Sequence, residues 1–522
     1  MSPTDLEGVK PEANTPETDV QSISKGAVEV GHTDIGYDYY LESQAMDPAH
    51  RDAIAKQVLR KIDFILLPSM CLIYLMSFLD KQTLNYANAY GLQADLGLEG
   101  RDYSWVASIT NIGYLLFSYP SSWCLQRFPI GKFVSIMLLC WGTLLVATVG
   151  AKNFAGIMAL RFLLGGLEAC IGPAWMLVTS MFWTRDEQPL RMCIWLGCNG
   201  ISLMLGSGIS WGLGTTTHTA LAPWQLIFLV IGVITLFIGG IALFLFPSSP
   251  VDFKLFTHEE RVVSVWRVAD NHTGIKHSQF LPYQMKEAFL EPRVWCVALQ
   301  QISIGIINGS LTNFTSALLK GFGYNSIETL KWQLPSGAFQ LIPTVILGYL
   351  ASRYRNITVL MSVLAGVPSI AGIIGIALIP LEHPLALTAC CWLLGVIGAA
   401  IILNWSIVAA NFAGHTKRMT VNGVNFICYA AGNIIGPFMF DPDEAPRYMS
   451  AIKALCGMYS SCMFFTACIG GLMWWENRKR DARLAEMTGG EHVNAGHGDT
   501  EVNEVGFTDR TDKENPHFRY KL

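Results

Sequence analysis

The chain has 522 residues, 51% of them hydrophobic and 15% charged, with a mean hydropathy of +0.36. Soluble domains carry roughly a quarter charged residues, so this composition excludes an ordinary soluble protein. A net charge of −4 argues against a nucleic-acid partner, and the thirteen cysteines, with no C-x-x-C or metal-ligand spacing, read as small buried thiols.

Charge is segregated along the chain. Residues 1–62 hold no apolar run, so no cleavable secretory signal is expected, and their Pro, Glu, Thr and Ser read as a disordered cytoplasmic tail. Apolar runs of about twenty residues, the length that crosses a bilayer, then follow at 64–84, 105–124, 133–150, 156–181, 192–214 and 224–246. A polar linker covers 247–293. Six more runs lie at 294–317, 333–350, 358–379, 384–410, 420–440 and 452–475, and 476–522 reads as a second cytoplasmic tail. The expected fold is an all-α membrane protein of twelve transmembrane helices, with one six-helix bundle over 63–246 and another over 294–475. The bilayer is its first partner.

Basic residues orient the spans. Loops on the side of the termini carry twenty-two Lys and Arg, against six on the opposite side, so both termini are expected in the cytoplasm. The sequons at Asn271 and Asn356 then face the cytosol, and those at Asn308, Asn313 and Asn404 lie within spans, so none is expected to be glycosylated.

Helical periodicity points to the polar faces. At about 100° per residue, Arg161, Gly165, Glu168, Gly172, Trp175 and Thr179 of span 4 share an arc of about 80°. Intramembrane charge marks a pathway, a relay or an internal pair; the alternative for Arg161 and Glu168 is a purely structural ion pair. Span 7 carries a stripe of Gln301, Asn308, Thr312 and Thr315, span 11 one of Asn422, Asn425 and Asn433, and span 5 one of Asn199, Ser202, Gly206 and Ser210. Such stripes either glue helices together or line a central cavity that is charged on the first half and neutral on the second. At the end of span 1, Asp80 and Lys81 are either flanking charges that snorkel or, if the helix runs on to Tyr90, place Lys81 in the cavity.

The loop after span 8, GYLASRYRN, resembles the cytoplasmic signature of the major facilitator superfamily, with Ser352 in place of its Asp; the loop after span 2 keeps only Arg127, Gly131 and Lys132. Recurrence in both halves is a weak internal repeat. FLDKQTLNYA, YSW at Tyr103 to Trp105, RFLLGGLEACIGPA and the pair Glu187/Arg191 resemble the anion:cation symporter branch. GHTKRMTVNG, AGNIIGP and the AP-x-Y at Ala445 to Tyr448 resemble the fungal allantoate permease family within it. More distant vesicular glutamate and sialic acid carriers have a similar Arg…Gly…Glu pattern in span 4.

The resemblance implies a proton-coupled importer of a small carboxylate-bearing metabolite of the allantoate, ureidosuccinate, nicotinate, pantothenate or dipeptide class. It also implies a plasma-membrane location and a monomer. On this reading Arg161, assisted by Lys81, takes the substrate carboxylate and Glu168 carries the proton. A protonated Glu168 frees Arg161; its deprotonation restores an Arg161–Glu168 pair and expels the substrate. Trp175, Trp405, Asn308, Asn404, Asn422 and Asn425 recognise the neutral remainder. Asp80, Glu187, Arg191 and Arg353 are the candidate gating residues; Glu187 and Arg191, one turn apart, form either a latch or a plain surface pair. No cofactor or metal is implied. The rival functions are a facilitator or efflux carrier for a secondary metabolite or xenobiotic, and a nutrient sensor that binds without transporting. No nucleophile elbow, phosphate loop or zinc spacing suggests an enzyme.

Overall fold

The computed structural model describes residues 35–184, 187–216, 220–269, 281–354, 356–487, 511–515 and 518–522, and among these every regular element is helical. Before the linker stand α1 (Ile35–Gln44), α2 (Pro48–Lys61), α3 (Leu67–Ala89), α4 (Leu92–Asp95), α5 (Asp102–Arg127), α6 (Ile130–Thr148), α7 (Phe154–Glu168), α8 (Ile171–Phe182), α9 (Gln188–Gly214) and α10 (Pro223–Leu245). The linker contains α11 (His258–Ala269) and α12 (Pro282–Leu290). After it come α13 (Pro292–Gly321), α14 (Ser326–Arg353), α15 (Thr358–Leu378), α16 (Pro384–Leu394), α17 (Ile397–Asn411), α18 (His415–Ile435) and α19 (Met449–Met487).

Among the described residues ten helical segments are long and apolar enough to cross a membrane, and they coincide with ten of the twelve expected runs. The other two expected runs are helices of 26 and 21 residues, α5 and α18, whose sequences are more polar. Both have reason to be. Ser104 and Ser108 of α5 bond across to the second half, and α18 carries Asn422, Asn425 and Asn433.

Two of the expected runs are broken. Span 4 stops at Glu168 and restarts at Ile171, two residues before Pro173, which has no N–H to continue the ladder. The run 384–410 breaks at Gly395 and Val396, between α16 and α17. Each half thus breaks the fourth of its six long helical segments, an internal repeat that composition does not reveal.

Apolar helices in lipid gain little from burying apolar surface against each other, so close approach at small residues decides their packing. Here α9 and α14 meet at Gly200 and Gly337, where a Cβ on Gly200 would stand 2.8 Å from the Gly337 carbonyl oxygen. The outer flanks expose Phe64, Phe237, Phe244 and Leu378, large apolar side chains suited to a lipid surround.

The hydrogen bonds that join the halves cluster at one end of the bundle, where α3 and α13 finish. The Tyr103 hydroxyl donates to the Asn313 carbonyl (2.8 Å), Ser104 to that of Pro437 (3.0 Å) and Ser108 to that of Ile434 (2.8 Å). Asn85 donates to Gln333 Oε1 at 3.1 Å and accepts from the Ser316 N–H at 2.9 Å. The opposite end carries the linker and both tails, and is called the terminal end below.

The reading of 1–62 as a disordered tail is corrected over 35–61. Pro48 sits in the first turn of α2 and Asp47 caps it, accepting from the His50 N–H at 3.1 Å. Lys61 lies 2.6 Å from Glu260 of α11, and the Arg51 guanidinium sits 4.1 Å above the Trp266 ring. The surface that orders this tail lies some two hundred residues away in the chain, so local composition could not reveal it. Beyond the last expected run α19 continues to Met487, and residues 511–515 and 518–522 pack on the second half. The sequon at Asn271 lies outside the described residues.

Candidate functional site

The middle of the first half holds four charges supplied by two helices. Ser77 and Lys81 are four residues apart on α3 and therefore share a face. Both reach Glu168 at the end of α7: Lys81 Nζ stands 2.9 Å from Glu168 Oε1, and the Ser77 hydroxyl donates to the same oxygen at 2.5 Å. Glu168 is 3% exposed, whereas the Lys81 side chain is 38% exposed and its ammonium lies 5.5 Å from the centre of the Tyr114 ring. The base of this pair is therefore sealed while its cation remains accessible.

Asp80 follows a different course because it is one residue, about 100°, further round the helix. It is fully buried, and Oδ2 accepts from the Trp141 indole N–H at 3.0 Å. Thr83 stands between it and Arg161: the Thr83 hydroxyl donates to the Asp80 backbone carbonyl at 2.5 Å, lies 3.2 Å from Asp80 Oδ1 and accepts from Arg161 at 3.4 Å. The Arg161 guanidinium also lies 5.2 Å from the Phe228 ring and is 3% exposed. Two acids and two bases thus balance within the half, as buried charge requires.

The expected Arg161–Glu168 pair is therefore not formed; Lys81 takes Glu168, and Arg161 turns to Thr83 and Asp80. Angular coincidence misled the reading. Seven residues of helix rise about 10 Å, so two side chains on one stripe need not touch. Trp175, seven residues beyond Glu168, is corrected for the same reason. It is fully buried near the terminal end, donates its indole N–H to the Met70 carbonyl at 3.0 Å and stacks on Phe246 at 5.5 Å. It is core. Gly165 serves packing, since a Cβ there would overlap the Thr110 carbonyl of α5.

The second half offers amides. Gln301 on α13 is fully buried and accepts from the Trp405 indole N–H at 3.4 Å. Trp405 on α17 packs edge-on against Phe426 and Tyr429 of α18, with ring centres 5.8 and 5.9 Å apart. Tyr429 in turn lies within electrostatic reach of Lys81 and Glu168, which joins the two halves of the site. Asn404 accepts from the Ser362 hydroxyl at 2.7 Å and so partly faces α15. Asn425 is 4% exposed, while Asn308 and Asn422 are half-buried.

Several buried polar atoms here have no hydrogen-bond partner among the described residues: Arg161 Nε, Glu168 Oε2, Asn199 Oδ1, Gln301 Nε2, Asn404 Nδ2 and Asn425 Oδ1. Each such atom costs about 1–3 kcal/mol if left unsatisfied. A concentration of them between two helical halves marks a place built to receive partners from water or a solute.

The terminal-end candidates separate. Arg191 forms a two-point contact with Asp63, four residues before α3 (3.1 and 2.6 Å), and Glu187 accepts from Arg267 of the linker helix at 2.8 and 2.9 Å. A forked contact outweighs an exposed one-turn pair, so these residues do not latch to each other through their side chains. Arg353 is exposed and forms no ion pair among the described residues. Ser77, Tyr114, Trp141 and Tyr429 were missed as site residues; only Ser77 had a signal, its four-residue spacing from Lys81.

Comparison with known proteins gives the architecture a context. The family model described as Major Facilitator Superfamily matches residues 70–437. An uncharacterised transporter of Schizosaccharomyces pombe is 34% identical over 520 residues, covering 99% of each chain. The allantoate permease of Saccharomyces cerevisiae is 32% identical over 88% of this chain and 86% of its own. Among solved structures, a bacterial homolog of the human lysosomal transporter Spinster, inward-facing and unoccupied, aligns with a TM-score of 0.54 at 14% identity. It covers 81% of this chain and 95% of that one.

Proposed function

The chain belongs to the major facilitator superfamily, and from that premise we propose that this multi-pass membrane transporter imports a small carboxylate-bearing metabolite together with protons by alternating access. The observation that carries the reading is the Lys81–Glu168 pair: a sealed carboxylate holding an accessible ammonium at 2.9 Å, opposite a neutral amide wall. In this reading twelve spans cross a plasma membrane, the terminal end faces the cytoplasm by its excess of basic residues, and the transporter acts as a monomer.

The mechanism is an exchange of partners on Lys81. When Glu168 binds a proton from outside, Lys81 loses its counter-ion and accepts the substrate carboxylate, with Ser77 and Tyr114 beside it. Gln301, Asn308, Asn404, Asn422, Asn425 and Trp405 supply donors and acceptors to the rest of the solute. The halves rock about this site. Loss of the proton inward re-forms the Lys81–Glu168 pair and displaces the substrate. Arg161 contributes positive field from behind, held by Thr83, and does not need to touch the solute. The likeness to the allantoate permease supports a carboxylate cargo of that class.

The test is uptake in yeast lacking its own carboxylate permeases. Labelled allantoate, ureidosuccinate, nicotinate, pantothenate and a dipeptide are offered at external pH 5 and 7.5, with and without a protonophore. Acid-stimulated, protonophore-sensitive uptake of one anion is expected. Uptake that ignores both pH and protonophore would make the protein a facilitator, and no uptake by protein at the cell surface would point to export or sensing.

A further inference from the structure

The last residues of the chain occupy a seat built for them at the terminal end of the second half. Asp512 is fully buried: Lys417 Nζ stands 2.7 Å from Oδ1, and Oδ2 accepts from Arg293 at 2.6 Å and from the Tyr520 hydroxyl at 2.7 Å. Lys417, also fully buried, meets Glu291 at 2.6 Å and Glu287 at 2.8 Å. Arg480 of α19 donates to the carbonyls of Asp512 and Phe518 at 2.9 and 2.8 Å.

The segment then threads along helix ends. Asn477 and Asn411 each exchange two hydrogen bonds with its backbone, at Tyr520 and Lys521, and the Thr358 N–H donates to the Leu522 carbonyl at 2.9 Å. The Tyr520 ring is 2% exposed, in a cluster with Val294, Phe412 and Met473. The segment thereby ties together the ends of α12, α13, α15, α17, α18 and α19.

One hydroxyl is critically placed. Thr511 is fully buried, and its Oγ1 donates to Glu287 Oε2 at 3.1 Å. Its N–H donates to Glu514 Oε2 at 2.9 Å, while the Glu514 N–H donates back to Oγ1 at 3.3 Å, a capping box that shapes the turn. Carboxylate oxygens of Glu287, Glu291 and Asp512 lie within 4.8 Å of one another. Arg293, Lys417 and Arg480 are already engaged by these acids and by the strap backbone, and the one additional cation among the described residues, half-exposed Lys513, is 3.8 Å from Glu291. In sequence, Thr511-Asp512-Lys513-Glu514 sets acids one and three residues after the hydroxyl, the context that acid-directed protein kinases select.

We propose that residues 511–515 and 518–522 form a releasable strap on the second half and that phosphorylation of Thr511 holds the strap off. The transfer uses ATP and an acid-directed kinase: Oγ1 forms a bond to the γ-phosphorus, the bond from that phosphorus to the bridging oxygen breaks, ADP leaves, and the hydroxyl proton passes to the kinase's base. The reaction requires the strap to be undocked, because Oγ1 is buried when it is seated. Once made, the phosphate carries about −1.5 to −2 charges. Redocking would set it against Glu287, Glu291 and Asp512, so like-charge repulsion and desolvation keep the strap out.

Full-length protein in detergent tests this by limited trypsin digestion, following cleavage after Lys513 and Arg519 by mass spectrometry. Thr511→Val, which loses the hydroxyl bonds but adds no charge, is expected to be cleaved at most a few-fold faster than wild type, and Thr511→Glu about tenfold faster, since cleavage tracks the open population. Tyr520→Ala, or Asn411→Ala if the former does not fold, is expected to free the strap. Incubation with an acid-directed kinase and ATP should then phosphorylate Thr511 several-fold faster than in wild type, and phosphorylated chains should be cleaved as fast as Thr511→Glu. Protection of Thr511→Glu or of the phosphorylated chain at the wild-type level would overturn the proposal. So would the absence of phosphate on Thr511 in a freed strap.

Discussion

The two halves of the bundle keep their charge in different places. The first half places Lys81 and the buried Asp80, Arg161 and Glu168 at its middle, whereas the second lines its middle with amides and gathers Glu287, Glu291, Arg293, Lys417 and Asp512 at its terminal end. Yet the terminal ends obey one plan. Asp63 just before α3 holds Arg191 near the start of α9, and Glu291 just before α13 holds Lys417 near the start of α18, both at 2.6 Å. Charge at the terminal ends repeats between halves and reads as scaffold; charge at the middle does not repeat and reads as function. Buried ions are costly in lipid, so an unrepeated set needs a separate reason to persist.

Substitutions can break that contrast. The largest effect is expected from Lys81→Met, which removes the accessible cation and strands Glu168: uptake falls to background, and adding Glu168→Gln restores expression but not uptake. Next comes Lys417→Met, which leaves three acids facing fewer cations. Breaking a buried ion cluster costs about 3–5 kcal/mol, so a marked fall in the thermal midpoint of the purified protein is expected. In the surviving wild-type cluster, burial alone would raise the Asp512 carboxyl, but Lys417 and Arg293 overcome that and hold it below the usual carboxylate range. Burial would likewise lower Lys417, and Asp512 and Glu291 raise it above the usual lysine range. A depressed acid contributes stability above its ordinary value and loses it as pH falls through the depressed one; a raised lysine contributes below its ordinary value and loses it as pH rises through the raised one. With ordinary values near 3.9 and 10.4, protection of the strap from trypsin is expected to be flat from about pH 5 to 9. The smallest effect belongs to the neutral wall. Gln301→Ala should raise the KM for the cargo about three- to thirtyfold, the cost of one or two hydrogen bonds, with the maximal rate nearly kept.

Much of this was legible in the residues. Ten of the expected apolar runs follow from run length, and the continuation of α3 past Lys81 to Ala89 follows from the absence of Gly and Pro there. What failed did so for two physical reasons. Periodicity gives the angle of a side chain but not its height, so Arg161, Glu168 and Trp175 seemed to share a site that their rise separates. Contacts between distant segments are invisible to local composition, so the order of 35–61 on α11 and the burial of Asp512 had no signal. Tyr429 belongs to the same class, since only the packing of α18 brings it near Lys81.

The exchange of partners on Lys81 is tested most directly by comparing accumulation with counterflow in Glu168→Gln, in vesicles loaded with the cargo that the uptake panel identifies. The amide imitates a permanently protonated Glu168, so Lys81 stays free to bind. The account predicts that Glu168→Gln exchanges labelled for unlabelled cargo at a rate near wild type, independent of pH, but no longer accumulates it on a proton gradient. Proton-driven accumulation at the wild-type level by Glu168→Gln would contradict it.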